Sequence, residues 1–301
     1  MTKILITGAL GNVGVAVLQS LRKINHQAVI YAGVREKDLN NEIPLLYTAI
    51  PILFDITKVE TFDSTFKKVD ILFLLRPPAI ANVKKYFTPL VISAKKNGIK
   101  HIIFLSVQGV EKSKFIPHNK IEKLIEASKI PFTFLRPAYF MQNFTTTLYK
   151  DIMQKNCIYL PAGQAEFTII DVDDIGNVAA MALTNPQNHI NKFYELTNNE
   201  TLTFGNMASI ISKVINRDIK FISPNLFQFY LTKRKENVPT MLILVMIMLH
   251  YLPRFQSTPP TNNMVRLITQ KEPNTFEEFL TSHKNKFLVI LVCFNNSEFK
   301  S

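Results

Sequence analysis

The sequence predicts an α/β protein whose first half is a doubly wound parallel sheet, on three observations. Short apolar, β-branched runs alternate with stretches of helical length up to Pro137. Three of the nine glycines crowd one seven-residue window between the first run and the first helix. The rhythm then changes after Pro137. Strands separated by crossover helices run parallel, and such a sheet is covered on both faces.

Residues 3–7 (KILIT) read as the first strand and residues 12–22 as the first helix. Further strands are expected at 28–34, 50–54, 71–75, 102–105 and 132–135, with helices at about 58–68, 80–97 and 118–128. Beyond Pro137, short strands at 157–160, 167–170 and 193–196 mix with helices at 174–183 and 203–216. From Pro224 the chain reads as mostly helical, broken by prolines at 239, 253, 259, 260 and 273. The expected division is a core over 1–137 and a smaller, mixed, mostly helical substrate-side region over 138–287 that returns elements to the core. A tail over 288–301 completes the chain; the apolar run 287–294 fits an edge strand, a packing arm or a disordered extension.

Composition excludes several classes. The 301 residues are 47% hydrophobic and 19% charged, ordinary for a soluble globular chain. The start, MTKILITGALG, lacks the basic start, apolar stretch and cleavage site of a secretory signal, so a reducing cytoplasm is the expected location. The longest apolar run, 241–249, falls well short of the roughly 20 residues a membrane span needs, which predicts a buried helix and no membrane partner. Cys157 and Cys293 lie far apart, no CxxC is present, and no metal site is expected. The net charge of +12 is spread along the chain; its densest piece is Lys233-Arg234-Lys235, which reads as solvated surface and not as a nucleic-acid face. Asp173 and Asp174 open an apolar-periodic helix and read as caps.

The chemistry-bearing signal is Gly8-Ala9-Leu10-Gly11-Asn12-Val13-Gly14, at GxxGxxG spacing after a strand and opening a helix. The first glycine permits the turn, the second lets backbone approach a pyrophosphate, and the third allows close helix packing. The helix N-terminus then presents unpaired N–H groups and a positive dipole end to phosphate. Gly8, Leu10, Gly11, Asn12, Val13 and Gly14 are the expected dinucleotide contacts of a Rossmann-type fold. The second strand ends Val34-Arg35-Glu36, where an NAD-binding chain usually places a carboxylate for the ribose. Arg35, a planar fork suited to a 2′-phosphate, predicts a preference for NADP(H) over NAD(H), with Glu36 as the competing signal. Asp55, after the third strand, fits either an adenine contact or a helix cap, and Leu74 and Leu75, ending the fourth, with Arg76 just after it, are expected beside the cofactor.

With the glycine loop, Arg35 and the segments SVQGVEKS, PHNKIEKLIEASKIPFTFLRPAYFMQNF, TIIDVDDIGNVAAMAL, FYELTNNETLTF and EPNTFEEFL in order, the chain resembles the NmrA-like branch of the atypical short-chain dehydrogenases/reductases. Leu135-Arg136-Pro137 to Asn143 is the most specific piece. The resemblance implies a Rossmann core, NADP(H), a nicotinamide pocket beside the smaller region, and a flavour of quinone reductases and redox sensors. It also places Ser106 at the serine of the usual Ser, Tyr, Lys set. The YxxxK positions become Lys114 and His118, so the ordinary tyrosine acid is missing. His118 is then the candidate proton donor or ribose ligand, with Ser106 as its companion. Tyr139, Phe140, Met141 and Phe144 are expected to build an apolar wall for a flat substrate. The expected function is NADPH-dependent hydride transfer to a small quinone-like or carbonyl acceptor, by a monomer or homodimer. The alternative is a non-catalytic NADP(H) redox sensor acting through a protein partner.

Overall fold

The computed structural model describes residues 1–288. The chain runs β1 (Lys3–Ile6), α1 (Asn12–Lys23), β2 (Val29–Val34), α2 (Ile43–Leu46), β3 (Ile50–Leu53), α3 (Glu60–Phe66), β4 (Ile71–Leu75), α4 (Val83–Lys96), β5 (His101–Leu105), α5 (Pro117–Ser128) and β6 (Phe132–Pro137). There follow β7 (Tyr139–Phe140), α6 (Tyr149–Lys155), β8 (Cys157–Tyr159), β9 (Glu166–Ile170), α7 (Val172–Thr184), β10 (Lys192–Leu196), β11 (Thr201–Thr203) and α8 (Phe204–Ile215). Last come β12 (Lys220–Ile222), α9 (Leu226–Lys235), α10 (Thr240–Tyr251), α11 (Met264–Thr269) and α12 (Phe276–Ser282).

Two compact units are formed. The first takes Met1–Ala138, Val172–Leu196 and Asn263–Glu272. It holds a seven-stranded sheet in the order β10-β6-β5-β4-β1-β2-β3, and every pairing is parallel. The strands are near-continuous apolar runs because both faces are covered: all five residues of β5 are buried, as are four of five in β4. The connection reverses between β1 and β4, which creates the topological switch point at which such sheets bind ligands. α7 packs against α1, and Gly176 makes that possible, since a Cβ there would lie 2.6 Å from the Ala16 carbonyl oxygen. β10 supplies a seventh strand, pairing Lys192–Leu196 with Thr133–Pro137.

The second unit takes Tyr139–Asp171, Thr197–Asn262 and the described residues from Pro273. It carries the sheet β11-β9-β7, the pair β12-β8 and helices α6, α8, α9, α10 and α12 around a separate core. Phe144, Phe204, Phe229, Phe276, Phe279 and Phe287 anchor that core. The apolar run at 241–249 forms most of α10, as its composition requires. It is not a buried helix: only Ile243, Met246 and His250 of α10 are enclosed. One stripe of an α-helix can face one neighbour, and here the other sides of α10 are also apolar. Of the tail expectation, Phe287 is buried in the core and the residues from 289 lie outside those described.

Candidate functional site

Because the main sheet is parallel, the residues following β1 to β5 share one edge of the first unit. The glycine loop sits at its centre. Gly8 adopts φ +61°, in the left-handed region that glycine enters without strain. Gly14 is packed so tightly that a Cβ would stand 2.2 Å from the Gly8 carbonyl oxygen and 2.7 Å from Ala9 Cα. Gly11 is different: a Cβ there would meet only the Gly8 oxygen, at 3.4 Å, and the space above the residue is open. The Gly11 N–H donates to Gly8 O at 3.0 Å and closes the turn.

Gly11 is also the N-cap of the twelve-residue helix α1, and no side chain caps that end. No acidic residue stands in its first turn either. The N–H groups around Asn12 and Val13 therefore keep both their directionality and the helix dipole for an outside anion. An open cradle over Gly11 and an uncapped helix end fit the pyrophosphate of a dinucleotide. Leu75 completes the loop's surroundings, its Cδ2 lying 3.2 Å from where a Gly8 Cβ would be. Its N–H donates to Thr7 Oγ1 at 2.9 Å.

Past β2, Arg35 begins a short turn over Glu36–Asp38, and its Nε donates to Asp38 Oδ2 at 3.0 Å. More than half of the Arg35 side chain remains in solvent. Glu36 is drawn the other way, to Lys58 Nζ at 3.1 Å, a contact that raises the lysine's pKa. The competing carboxylate thus has a cation of its own. Past β3, Asp55 Oδ1 accepts from both the N–H and the hydroxyl of Thr57, at 2.8 and 2.7 Å. That is a local turn bond, which organises the approach to α3.

Past β4, Arg76 is fixed on several sides. Its Nη1 donates to the carbonyls of Pro77, Pro78 and Ile80 at 3.1, 3.0 and 3.0 Å, and its Nε to His118 Nε2 at 3.2 Å. An arginine cannot accept, so His118 Nε2 must carry the lone pair. Burial, together with the Arg76 charge, pushes the His118 pKa down to about 3. His118 is therefore a neutral acceptor that orients Arg76, and at ordinary pH no imidazolium is available as an acid. Sequence spacing gives no sign of this, because the deciding partner lies after a different strand.

Ser106, just beyond β5, is 2% exposed, and its Oγ has no hydrogen-bond partner. A buried hydroxyl left unsatisfied is costly and points to a ligand atom. Asn119 Oδ1, in the first turn of α5, is orphaned in the same way, while its Nδ2 donates to Val110 O at 3.0 Å. Nothing in the sequence marks Asn119 beside His118; only its burial singles out the unused oxygen.

Arg136, from the most specific motif, is a structural hub. It bonds Glu122 through two contacts, 3.1 and 2.7 Å, with Glu111 at 3.6 Å and Glu195 at 3.8 Å. Burial and the Glu111 charge, opposed by Arg136, lift the Glu195 pKa to about 7.

In the second unit the expected substrate wall divides. Met141 and Phe144 are wholly buried in the core, where they pack against other apolar side chains and present no surface. Tyr139 and Phe140 are partly exposed. The Tyr139 hydroxyl donates to His250 Nε2 at 3.2 Å, since the other ring nitrogen of His250 donates to Met246 O at 2.6 Å. Burial raises the Tyr139 pKa and lowers that of His250 to about 4, so this pair is neutral. Among the described residues no group of three His, Cys, Asp or Glu is placed to hold a metal ion.

The chain is similar to several known proteins in sequence and in fold. The prestalk A differentiation protein A of Dictyostelium discoideum is 27% identical over 284 residues, spanning 92% of this chain and 90% of its own. The NAD(P)H azoreductase of Xenophilus azovorans is 26% identical over 293 residues, spanning 94% and 99%. Among solved structures, the Citrobacter sp. triphenylmethane reductase complexed with NADP(H) superposes with a TM-score of 0.80 at 21% identity, covering 94% of this chain and 99% of that one. An NADPH-dependent quinone oxidoreductase from Escherichia coli gives 0.80 at 20% identity, covering 93% and 98%. These likenesses share the fold described above. The model of the NmrA-like family matches residues 1–280, and the chain belongs to that family.

Proposed function

We propose that this protein is an NADPH-dependent reductase that delivers hydride to a small, flat, electron-poor acceptor, with quinones as the leading class. The observation that carries the reading is the open cradle over Gly11 at the uncapped end of α1. Relatives named as an NAD(P)H azoreductase and an NADPH-dependent quinone oxidoreductase support the acceptor class. The preference for NADPH rests on Arg35, whose exposed fork would exchange Asp38 for a 2′-phosphate while Lys58 keeps Glu36 away from the ribose.

The bound nicotinamide supplies the hydride, and the protein supplies orientation. The backbone N–H groups at Asn12 and Val13 would hold the pyrophosphate. Asp55, at the end of β3, is the proposed adenine-side carboxylate through the oxygen not spent on Thr57. Arg76, pinned by three carbonyls and His118, fixes the loop after β4. Among the described residues Ser106 offers the one buried hydroxyl with no hydrogen-bond partner, free to donate to a carbonyl oxygen of the cofactor or acceptor. Tyr139 and Phe140 are the proposed apolar contacts for the acceptor. A reduced quinone oxygen is a weak base, so water suffices as its proton source, and the missing tyrosine at position 114 is no obstacle. Titration with NADPH and NADH tests the cofactor assignment: NADPH should bind at least about tenfold more tightly, an advantage that Arg35→Ala removes. Equal affinities would refute it.

One second reading, a redox sensor that binds NADP(H) without turnover, is favoured by Lys114 at the usual tyrosine position and by His118 Nε2 being engaged as an acceptor for Arg76. Its signature would be a protein partner captured with NADP+ and released with NADPH, or the reverse.

A further inference from the structure

α10 contains no Asp, Glu, Lys or Arg in its twelve residues. Its buried stripe, Ile243, Met246 and His250, satisfies the core beneath. The remaining surface is apolar and in solvent: Met241 is 72% exposed, and Leu244, Val245, Met248 and Leu249 are each more than 40% exposed. Phe255, just beyond, is also 72% exposed. Isolated exposed leucines are ordinary, but a whole helix face of them is not, and such patches mark an interaction surface.

The charges nearest the patch along the chain have one sign, and the exposed carboxylate of Glu166 reaches only Thr258, beyond it. From residue 237 to residue 271 the sequence has no Asp or Glu. Arg234 and Lys235 stand exposed at the end of α9, Arg254 follows α10, and none of the three forms an ion pair among the described residues. Glu236 is withdrawn from this set by Lys155 and by Lys233, the latter at 2.9 Å. A second copy of the chain would bring the same cations and another +12 to the contact, and the two would repel. An anionic surface would be attracted by the rim as its apolar centre is buried.

We propose that α10, with the end of α9, is a peripheral docking surface for an anionic phospholipid bilayer. The helix lies in the interface with Met241, Leu244, Met248, Leu249 and Phe255 at the acyl boundary and Arg234, Lys235 and Arg254 among the headgroups. No helix among the described residues is long and apolar enough to cross a membrane. The expectation of no membrane partner rested on that length, and a helix lying on a surface does not require it.

The test uses the full chain, co-sedimented with vesicles of phosphatidylcholine alone and of phosphatidylcholine mixed with phosphatidylglycerol. Binding is expected on the anionic vesicles, declining with salt. The double variant Leu244→Glu/Met248→Glu, both at exposed positions, should reduce it by about tenfold or more, and Arg234→Gln/Lys235→Gln should reduce it in proportion to the lost charge. Thermal melting and NADPH titration of each variant establish that the fold is intact. Absence of binding to anionic vesicles, or equal binding by the glutamate variant, overturns the proposal. Should sedimentation velocity then reveal a dimer that the glutamate variant dissociates, the face belongs to a second copy. Vesicle binding is read independently of turnover, so its failure leaves the reductase reading untouched.

Discussion

At the residue scale, Gly11 and Gly14 make opposite demands although the sequence presents them as one motif. An alanine at position 14 would drive a methyl into the Gly8 carbonyl, so Gly14→Ala should cost more than about 2 kcal/mol, read as a lower melting temperature. An alanine at position 11 meets only the Gly8 oxygen at 3.4 Å, and the N-cap backbone (φ −86°, ψ 168°) suits any residue. Gly11→Ala should therefore melt within a few degrees of the parent yet bind NADPH at least about tenfold more weakly. The spacing in the sequence reveals the motif, but only the surrounding atoms separate packing from binding. His118 teaches the converse. Its place near the start of α5 is legible, while its charge state depends on Arg76, 42 positions away.

At the element scale, the boundaries of β1 to β6 follow the sequence pattern to within a few residues, because strands such as β4 and β5 are near-continuous apolar runs bounded by polar turns, whereas the short α2 was not expected. α10 was legible as a helix and illegible as a surface, since an all-apolar helix has no periodicity to say which side is covered. Ion pairs between distant elements were hidden too. Lys233, expected as solvated surface, is buried against Asp151 at 2.6 Å and joins α9 to α6, with Lys155 2.8 Å from the same carboxylate. Burial alone would raise the Asp151 pKa, and hydrogen bonds from Lys155 and Lys233 more than offset it. Breaking such a pair strands a buried charge, so Lys233→Ala should destabilise the protein by about 3 kcal/mol in denaturant unfolding. With its folded pKa depressed, Asp151 contributes stability above the ordinary carboxylate range and loses it as pH falls through the folded value.

At the scale of the whole molecule, four enclosed histidines, His101, His118, His189 and His250, weaken the fold on the acid side, and Glu195, whose raised pKa lets the folded chain take up a proton in the same range, opposes them. Burial lowers His101 and His250 to about 4, and burial with the Arg76 charge lowers His118 to about 3. Unfolded histidine titrates near 6.5, so between roughly pH 6.5 and 4 the unfolded chain takes up protons that the folded chain refuses. Stability should fall through that window by about 1.4 kcal/mol per pH unit for each of these three histidines, steepest near pH 5. Denaturant midpoints measured across this range check it, and His250→Gln should shallow the slope. The reductase reading itself rests on the cradle of the first unit, and the most direct test is oxidation of NADPH, followed by its absorbance, with a panel of quinones and simple carbonyls. The expected result is turnover with a quinone, which in Gly11→Ala requires at least about tenfold more NADPH. Protein that binds NADPH yet oxidises none of it with any acceptor would contradict a reductase and leave the sensor in its place.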